Sequence, residues 1–422
     1  PFDNSLKINA SIITIGDELL IGQVIDTNSA WMAQQLNLSG FTVVRRVAIA
    51  DEKKAIITAL NEEQVHAHII LITGGLGPTS DDITKTTLCE YFNAKMKVNE
   101  AALENVNYLF EKVFKKPVTP VNRCQAEVPD CCRVLQNKLG TAPGMVFEKN
   151  NTIFISMPGV PHEMKGLMLD EVIPLIKKQF IAAQIIHKTL LTVGIGESAL
   201  AEKIKNFEAS LPAYIKLAYL PAYGMVRLRL SAAASANDKI ESVINDAFEW
   251  LQQLTKEFLV TNKDQPLQEV IAEILITQNK TLATAESCTG GYIAHLLTGI
   301  PGASNFFKGS VVGYSNQAKE KVLKVNKNTI VQHGAVSKNT VQEMLTGVLN
   351  VMDADYAIAV SGIMGPGGGS ADKPVGTVWV AAGNNQKCIT QKFHFRLGRQ
   401  QNIHLTALNA LNHLRKFIVE NN

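Results

Sequence analysis

At 422 residues the chain is longer than one ordinary hydrophobic core organises, so two or three domains are expected. Apolar content of 46% with 19% charged residues excludes intrinsic disorder. A net charge of +3, from 41 basic and 38 acidic residues without a dense Lys/Arg run, argues against direct nucleic-acid binding.

The chain opens Pro1-Phe2-Asp3-Asn4, which begins no signal peptide, and no apolar run is long enough to span a membrane. Ile8 to Ile15 reads as a strand, ending in Gly16-Asp17-Glu18-Leu19-Leu20-Ile21-Gly22. Asp26-Thr27-Asn28 then precedes a helix that Gly40 ends. Thr42 to Ala50 is a second strand, and Asp51 is read as the cap of a helix to about Val65. His68 to Thr73 is continuously apolar at Ile69-Ile70-Leu71-Ile72, as suits a strand buried on both faces. It stops at Gly74-Gly75-Leu76-Gly77-Pro78-Thr79-Ser80-Asp81-Asp82, before a helix from about Ile83 to Asn93. The order β-α-β-α-β-α implies a parallel sheet with right-handed crossovers. Helical patterns from Asn99 to Phe114 lead into an irregular, Pro-rich stretch, then a strand from Thr152 to Met157. Pro158-Gly159-Val160-Pro161-His162-Glu163 opens the next helix.

From about His187 the order becomes β-α-β-β-α, a small α+β module with no catalytic pattern, read as a spacer or oligomerisation domain. Asn262-Lys263-Asp264-Gln265-Pro266 is a linker. Beyond it come a helix (Leu267–Gln278) and a strand-like run, Thr281-Leu282-Ala283. Then follow Thr284-Ala285-Glu286-Ser287-Cys288-Thr289-Gly290-Gly291, a helical pattern, a strand near Gly309–Ser315, and helix-starting Asn316-Gln317-Ala318-Lys319. Ser337 caps a helix to Met352, strands are expected at Tyr356–Val360 and Gly376–Ala382, and a last helix runs from about Arg399 to Ile418. There is no internal repeat or low-complexity tract. The six cysteines form no C-x-x-C pair, which points to reduced thiols in the cytoplasm.

Two regions carry candidate chemistry. In a parallel sheet, ligands bind beyond the C-terminal strand ends. There the loops Gly16–Gly22 and Gly74–Asp82 supply Asp17, Glu18, Asp81, Asp82 and Thr79 with Gly16, Gly74, Gly75 and Gly77. Such backbone cradles phosphate, and such carboxylates hold a divalent metal; the alternative is that the acids merely complement helix dipoles. In the C-terminal third, a hydroxyl at a strand-to-helix turn followed by two glycines suits a nucleophile, with Ser287, Cys288 and Thr289 as candidates and helix capping as the alternative. A serine needs a base; no His lies in a comparable turn, and Lys319 is the available candidate, with an exposed helix-start lysine beside Lys321 and Lys324 as the alternative. The loop Gly362–Gly376 holds six glycines without a Walker A ending, and Arg399 is suited to bidentate phosphate binding.

Ala285-Glu286-Ser287-Cys288-Thr289-Gly290-Gly291, Gly313-Tyr314-Ser315-Asn316-Gln317-Ala318-Lys319 and Ser361-Gly362-Ile363-Met364-Gly365-Pro366-Gly367-Gly368 resemble the C-terminal domain of the competence/damage-inducible CinA family. Gly16-Asp17-Glu18-Leu19-Leu20 and Gly74 to Thr84 resemble its N-terminal, molybdopterin-binding-like domain. The resemblance implies an α/β fold in three parts: a three-layer N-terminal domain over residues 1–183, an α+β module over 184–261, and an α/β deamidase domain over 262–422. It implies an amidohydrolase converting nicotinamide mononucleotide to nicotinate mononucleotide in pyridine-nucleotide salvage. Ser287 is then the nucleophile and Lys319 the base, with Tyr314 and Ser361 in the catalytic group; position 361 is usually threonine in this family. Glu286, Thr289, Gly290, Gly291, Gly362, Gly365 and Arg399 would bind substrate, and no cofactor is needed. The N-terminal domain would be an ADP-ribose pyrophosphatase using a divalent metal at Asp17 and Asp82, with Asn28 also in the site. Asp81 stands where molybdopterin-binding relatives often carry arginine, which favours the pyrophosphatase. A homodimer is expected. The competing expectation is a non-catalytic nucleotide- or molybdopterin-binding sensor in the competence or DNA-damage response.

Overall fold

The computed structural model describes residues 8–77, 79, 82–180, 184–222, 224–234 and 239–421. They form two compact units, Pro1–Ile186 with Ala233–Ile240, and His187–Ala232 with Glu241–Asn422.

The first unit is built on a six-stranded sheet. Its order is Thr42–Ile49, Asn9–Ile15, Ile69–Thr73, Thr152–Met157, Gly144–Lys149, Arg133–Leu135. The first four strands are parallel and the last two antiparallel. The expected buried strand is buried at every residue because it feeds two cores. Ile69 and Leu71 pack with Met32 and Leu36 of helix Thr27–Leu38 and Met164 of helix Pro161–Leu167. Ile70 and Ile72 pack on the opposite face with Ile56 and Leu60 of helix Lys53–His66 and Leu88 of helix Thr84–Tyr91. Each such side chain contributes about 2 kcal/mol on leaving water, and together they fix three layers. The α/β class expected from the sequence is what the chain forms.

Two expectations need correction. Asp51 caps no helix: the cap position is Glu52, without a side-chain cap bond, and the Asp51 amide instead donates to Asp17 Oδ1 at 3.2 Å. The Pro-rich stretch expected to be irregular contains three strands: Glu127–Pro129, which pairs with Met96–Val98 upstream of it, and Arg133–Leu135 and Gly144–Lys149, which extend the main sheet.

Strand order sets the first candidate site. The chain goes from Asn9–Ile15 outward to Thr42–Ile49, then back across to Ile69–Thr73. The loops leaving Ile15 and Thr73 therefore diverge and open a crevice. Their backbones nearly touch at its floor. Gly74 has φ +115°, and a Cβ there would stand 2.2 Å from the Ile15 carbonyl oxygen. Only glycine fits such an approach.

In the second unit, strands Ile215–Ala222, Met225–Ala234, Gln184–Val193 and Leu259–Thr261 make a four-stranded sheet in that order. Leu200, Ile204 and Phe207 of helix Glu197–Ser210 are buried, while Leu191, Val193 and Met225 pack with Leu408. The remaining sheet has the order Phe307–Val312, Leu282–Glu286, Tyr356–Gly362, Thr377–Gly383, Cys388–His394. Its first three strands are parallel and the others antiparallel. One face buries Leu282, Ile358, Val360 and Val378 with residues of helices Leu267–Thr277, Tyr292–Thr298 and Arg399–Glu420. The other presents Ala283, Ala285, Ala357, Ala359 and Ala381, small side chains against which Val341, Met344 and Val348 of helix Lys338–Met352 pack.

Candidate functional site

The three parallel strands of the second unit end together, and each delivers polar groups to that rim. Leu282–Glu286 runs straight into Ser287, whose amide bonds the Val360 carbonyl at 3.1 Å. Phe307–Val312 leads through Gly313 and Tyr314 to helix Asn316–Lys321, capped by Ser315. That helix turns Lys319 back under the rim. Its Nζ lies 3.0 Å from Ser287 Oγ, 2.9 Å from the Gly313 carbonyl oxygen and 3.1 Å from that of Tyr314.

This geometry bears directly on the charge of Lys319. The side chain is 1% exposed, and burial holds its pKa below the ordinary lysine range. Its hydrogen-bond partners are two carbonyls and a hydroxyl, with no carboxylate among them. Nζ donates in all three contacts; once the amine is neutral, two N–H groups suffice for the carbonyls and its lone pair is free to take the Ser287 hydroxyl proton. A lysine amine so lowered is a better base toward a neighbouring serine than an exposed one.

Cys288, the intrinsically stronger nucleophile, is closed off. It is 6% exposed within the apolar cluster, and burial first, then the nearby Glu286 charge, pushes its thiol up to about 12. A thiol that stays protonated does not attack. Cys288→Ala should therefore leave turnover within about threefold of the parent while costing about 1 kcal/mol of stability for the lost buried sulfur. Initial rates and thermal melts measured together check both expectations.

Several expected substrate groups have other partners. Glu286 is fully buried, and both its oxygens receive protein donors, which leaves them turned away from any substrate. Thr289 is not the helix cap: Gly291 occupies the cap position, and the Thr289 hydroxyl donates to Glu286 at 2.7 Å. The free amides at the start of this helix hold the Glu286 carboxylate. Gly290 (φ +62°) and Gly291 (φ +96°) shape the turn, and the Gly290 amide is engaged with the Ser287 carbonyl at 3.2 Å. No backbone carbonyl among the described residues takes the N–H of Cys288 or Thr289. Ser361 is 1% exposed and donates its hydroxyl to the Ala335 carbonyl at 2.7 Å, so its bond anchors the loop before Ser337.

Tyr314 is exposed at the mouth, 62% accessible, where its hydroxyl accepts from Arg399 at 3.1 Å. The same guanidinium donates to the Gly365 carbonyl at 2.8 Å, which ties it to the glycine-rich loop. Arg399 begins a 22-residue helix whose His404 ring lies 2.9 Å from the Tyr292 hydroxyl, so this helix is registered to the one following Ser287. Gly362 ends its strand against Val378.

In the first unit the crevice between the diverging loops has a volume of about 430 Å³ and is lined by Glu18, Asp51, Asp82 and Glu163 with Gly74, Gly75 and Gly77. Burial raises the Asp51 carboxyl above its usual range; an Asp17 hydrogen bond opposes this, and the charges of Asp17, Glu18 and Asp82 add to it. Burial likewise raises Glu163, against a 2.7 Å hydrogen bond from Asn137. Asp82 accepts from the Thr79 amide at 3.0 Å and from its hydroxyl, which makes it in part a turn residue. Gly16 precedes the four-residue helix Asp17–Leu20. Asn28 donates to the Gly159 carbonyl at 2.7 Å, while its amide oxygen is buried without a donor among the described residues. Asp81 lies outside the described residues. Among the described residues no three His, Cys, Asp or Glu side chains converge to enclose a metal ion. Asp51 was missed as a site residue because it was read as a cap. It follows strand Thr42–Ile49 on the same rim, and strand order alone would have placed it there. Thr284 and Ser310, both on Glu286, were also missed; alternation puts Thr284 and Glu286 on one face, and Ser310 is the cross-strand partner of Thr284.

Comparison with known proteins gives three family matches in chain order. Residues 11–178 match the probable molybdopterin binding domain, 187–258 the damage-inducible protein CinA KH domain, and 264–418 the CinA C-terminal domain. A CinA-like protein of Flavobacterium psychrophilum is 45% identical over 98% of this chain and 99% of its own. One from Cytophaga hutchinsonii is 42% identical, again over 98% and 99%. A crystal structure of a CinA superfamily protein from Klebsiella pneumoniae is 38% identical, covering 36% of this chain and 97% of that one, with a TM-score of 0.35.

Proposed function

The chain belongs to the CinA family, and we propose that its C-terminal domain hydrolyses the carboxamide of nicotinamide mononucleotide by a Ser287–Lys319 mechanism. The observation that carries this reading is the buried amine of Lys319, 3.0 Å from Ser287 Oγ and otherwise bonded to carbonyls. Lys319 takes the hydroxyl proton while Ser287 Oγ bonds to the carboxamide carbon. The N–H groups of Cys288 and Thr289 are the donors closest in sequence for the oxyanion that forms. As the intermediate collapses, the C–N bond breaks and Lys319 returns the proton to the leaving amine, releasing ammonia. Water then gives a proton to Lys319 as it attacks the ester; when the second intermediate collapses, the bond to Ser287 Oγ breaks and Lys319 returns that proton to it, freeing nicotinate mononucleotide and Ser287. Arg399, with Tyr314 beside it, is the group suited to the substrate phosphate. The test is ammonia release from nicotinamide mononucleotide by the full chain; retention of the nucleotide without turnover would favour a sensor instead.

The N-terminal crevice supports a second activity, cleavage of ADP-ribose with a divalent ion. The donor set fits a hard cation. Asp51, Glu18 and Asp82 line one cavity, their charges repel one another, and one or two carboxylates suffice where substrate phosphates complete the shell. Such an ion, when bound, supplies Lewis acidity and a water of lowered pKa. The chain itself contributes the glycine cradle of Gly74 to Gly77 for a diphosphate, and the unpartnered Asn28 oxygen for a substrate hydroxyl. Asp82→Ala should lower AMP release from ADP-ribose by about 10²-fold, as should a chelator. Full activity in the presence of both changes would remove the metal from this reading.

A further inference from the structure

Next to Ser287 lies a buried titratable group that the reaction above leaves unused. Glu286 is 0% exposed. Its Oε2 accepts from the Thr289 hydroxyl at 2.7 Å and from the Gly291 and Ile293 amides, both at 3.0 Å. Its Oε1 accepts from the Ala294 amide at 2.8 Å and faces the hydroxyls of Thr284 at 3.3 Å and Ser310 at 3.4 Å. A carboxylate withdrawn from water needs such compensation, and here it comes from the N-terminal amides of a helix rather than from a cation.

The benefit to the helix is equally specific. Tyr292–Thr298 has seven residues, too few to be stable alone, and its cap Gly291 supplies no side chain. Gly290 and Gly291 are both left-handed, so the turn that carries Ser287 has little intrinsic stiffness. Glu286, rigid at the end of a buried strand, reaches across that turn and grips its far side at positions 289, 291, 293 and 294. It is thus the group that closes the loop on which Ser287 sits.

We propose that Glu286 is the positioning residue for Ser287: by binding the start of helix Tyr292–Thr298 it holds the nucleophile turn at the distance where Lys319 can take its proton. The inference rests on Ser287 being the nucleophile, so its test needs a readout independent of the natural substrate. A fluorophosphonate probe, which reports serine nucleophilicity directly, provides one beside ammonia release.

Glu286→Ala in the full chain should slow probe labelling by about 10²-fold and lower kcat equally, with KM unchanged, since misplacing a reacting group by about 1 Å costs that much. Added formate or acetate should enter the vacated, donor-lined space and restore much of the rate, whereas chloride should not. Restoration separates positioning from general damage, because a small anion does not refold a protein. Undiminished labelling, or a folded variant that carboxylates fail to restore, would overturn the proposal. If Glu286→Ala does not fold, Thr289→Val decides: it removes one donor and should slow labelling several-fold at unchanged KM, and an unaltered rate overturns the proposal. A parent protein that neither labels nor turns over overturns the nucleophile assignment itself, a result distinct from failure of the Glu286 variant alone.

Discussion

Ser287→Ala is expected to stop ammonia release from nicotinamide mononucleotide while leaving ADP-ribose cleavage unchanged. The expected loss exceeds about 10³-fold in kcat, or about 4 kcal/mol of transition-state stabilisation. It is this large because, in the proposed mechanism, the substitution removes the atom that forms the covalent intermediate, and neither neighbour can replace it. Cys288 keeps its proton up to about 12, and the Thr289 hydroxyl is held by Glu286. KM should move little, because in the proposed mechanism the Ser287 hydroxyl contributes to the reacting centre and not to the phosphate end, which is assigned to Arg399. Folding should be preserved: the side chain is 8% exposed, and its removal leaves Lys319 with both carbonyl partners. Ammonia measured by a coupled assay, with AMP release from the same preparation as an internal control, checks the expectation. Ammonia release within tenfold of the parent would mean that another group attacks. A parallel loss of AMP release would point to global damage.

The parts of the fold that the sequence reveals are those where one physical requirement dominates. Ile69–Thr73 is apolar throughout because it feeds a core on each face, and the parallel half of the first sheet follows from such runs. The short antiparallel strands of the first unit, in the main sheet and in the separate two-stranded one, do not announce themselves. Met96–Val98 is exposed at all three residues, and Glu127–Pro129 and Arg133–Leu135 are too short for a period to show. Cys388–His394 was likewise missed, since an edge strand has no continuous apolar face. The same contrast holds at the sites. A hydroxyl at a strand-to-helix turn is legible, and so is a lysine opening the helix after a neighbouring strand. What the Ser287–Lys319 pair requires beyond that is register between two strands, which brings residues 32 apart in sequence to 3.0 Å. Glu286 shows the limit most clearly. In the linear motif it looks like a ligand for substrate, because nothing in the sequence says that the amides of residues 291, 293 and 294 will turn to face it.

Lys319→Met should match the serine variant in severity, with a loss of about 10³-fold or more, and the pH dependence of the parent should show why. Methionine preserves length and apolar volume but takes no proton. In the parent, burial holds the Lys319 pKa below the ordinary lysine value near 10.5. In the proposed mechanism the active form is the neutral amine, so kcat/KM should rise with pH through that lowered pKa and then level off. An activity that falls across the same range would reverse the roles and make the protonated lysine an acid. Stability carries the same sign by linkage. The unfolded chain binds this proton more readily than the folded one, so the contribution of Lys319 to stability is fully present above its unfolded pKa and is lost as pH falls through its folded pKa. Between those two values the parent should gain stability with rising pH relative to Lys319→Met, which has no proton to release at this position. Denaturant titrations of both proteins across that window measure the difference directly. Parallel curves would mean that the Lys319 pKa is the same folded and unfolded, and would remove the basis for its action as a general base at neutral pH.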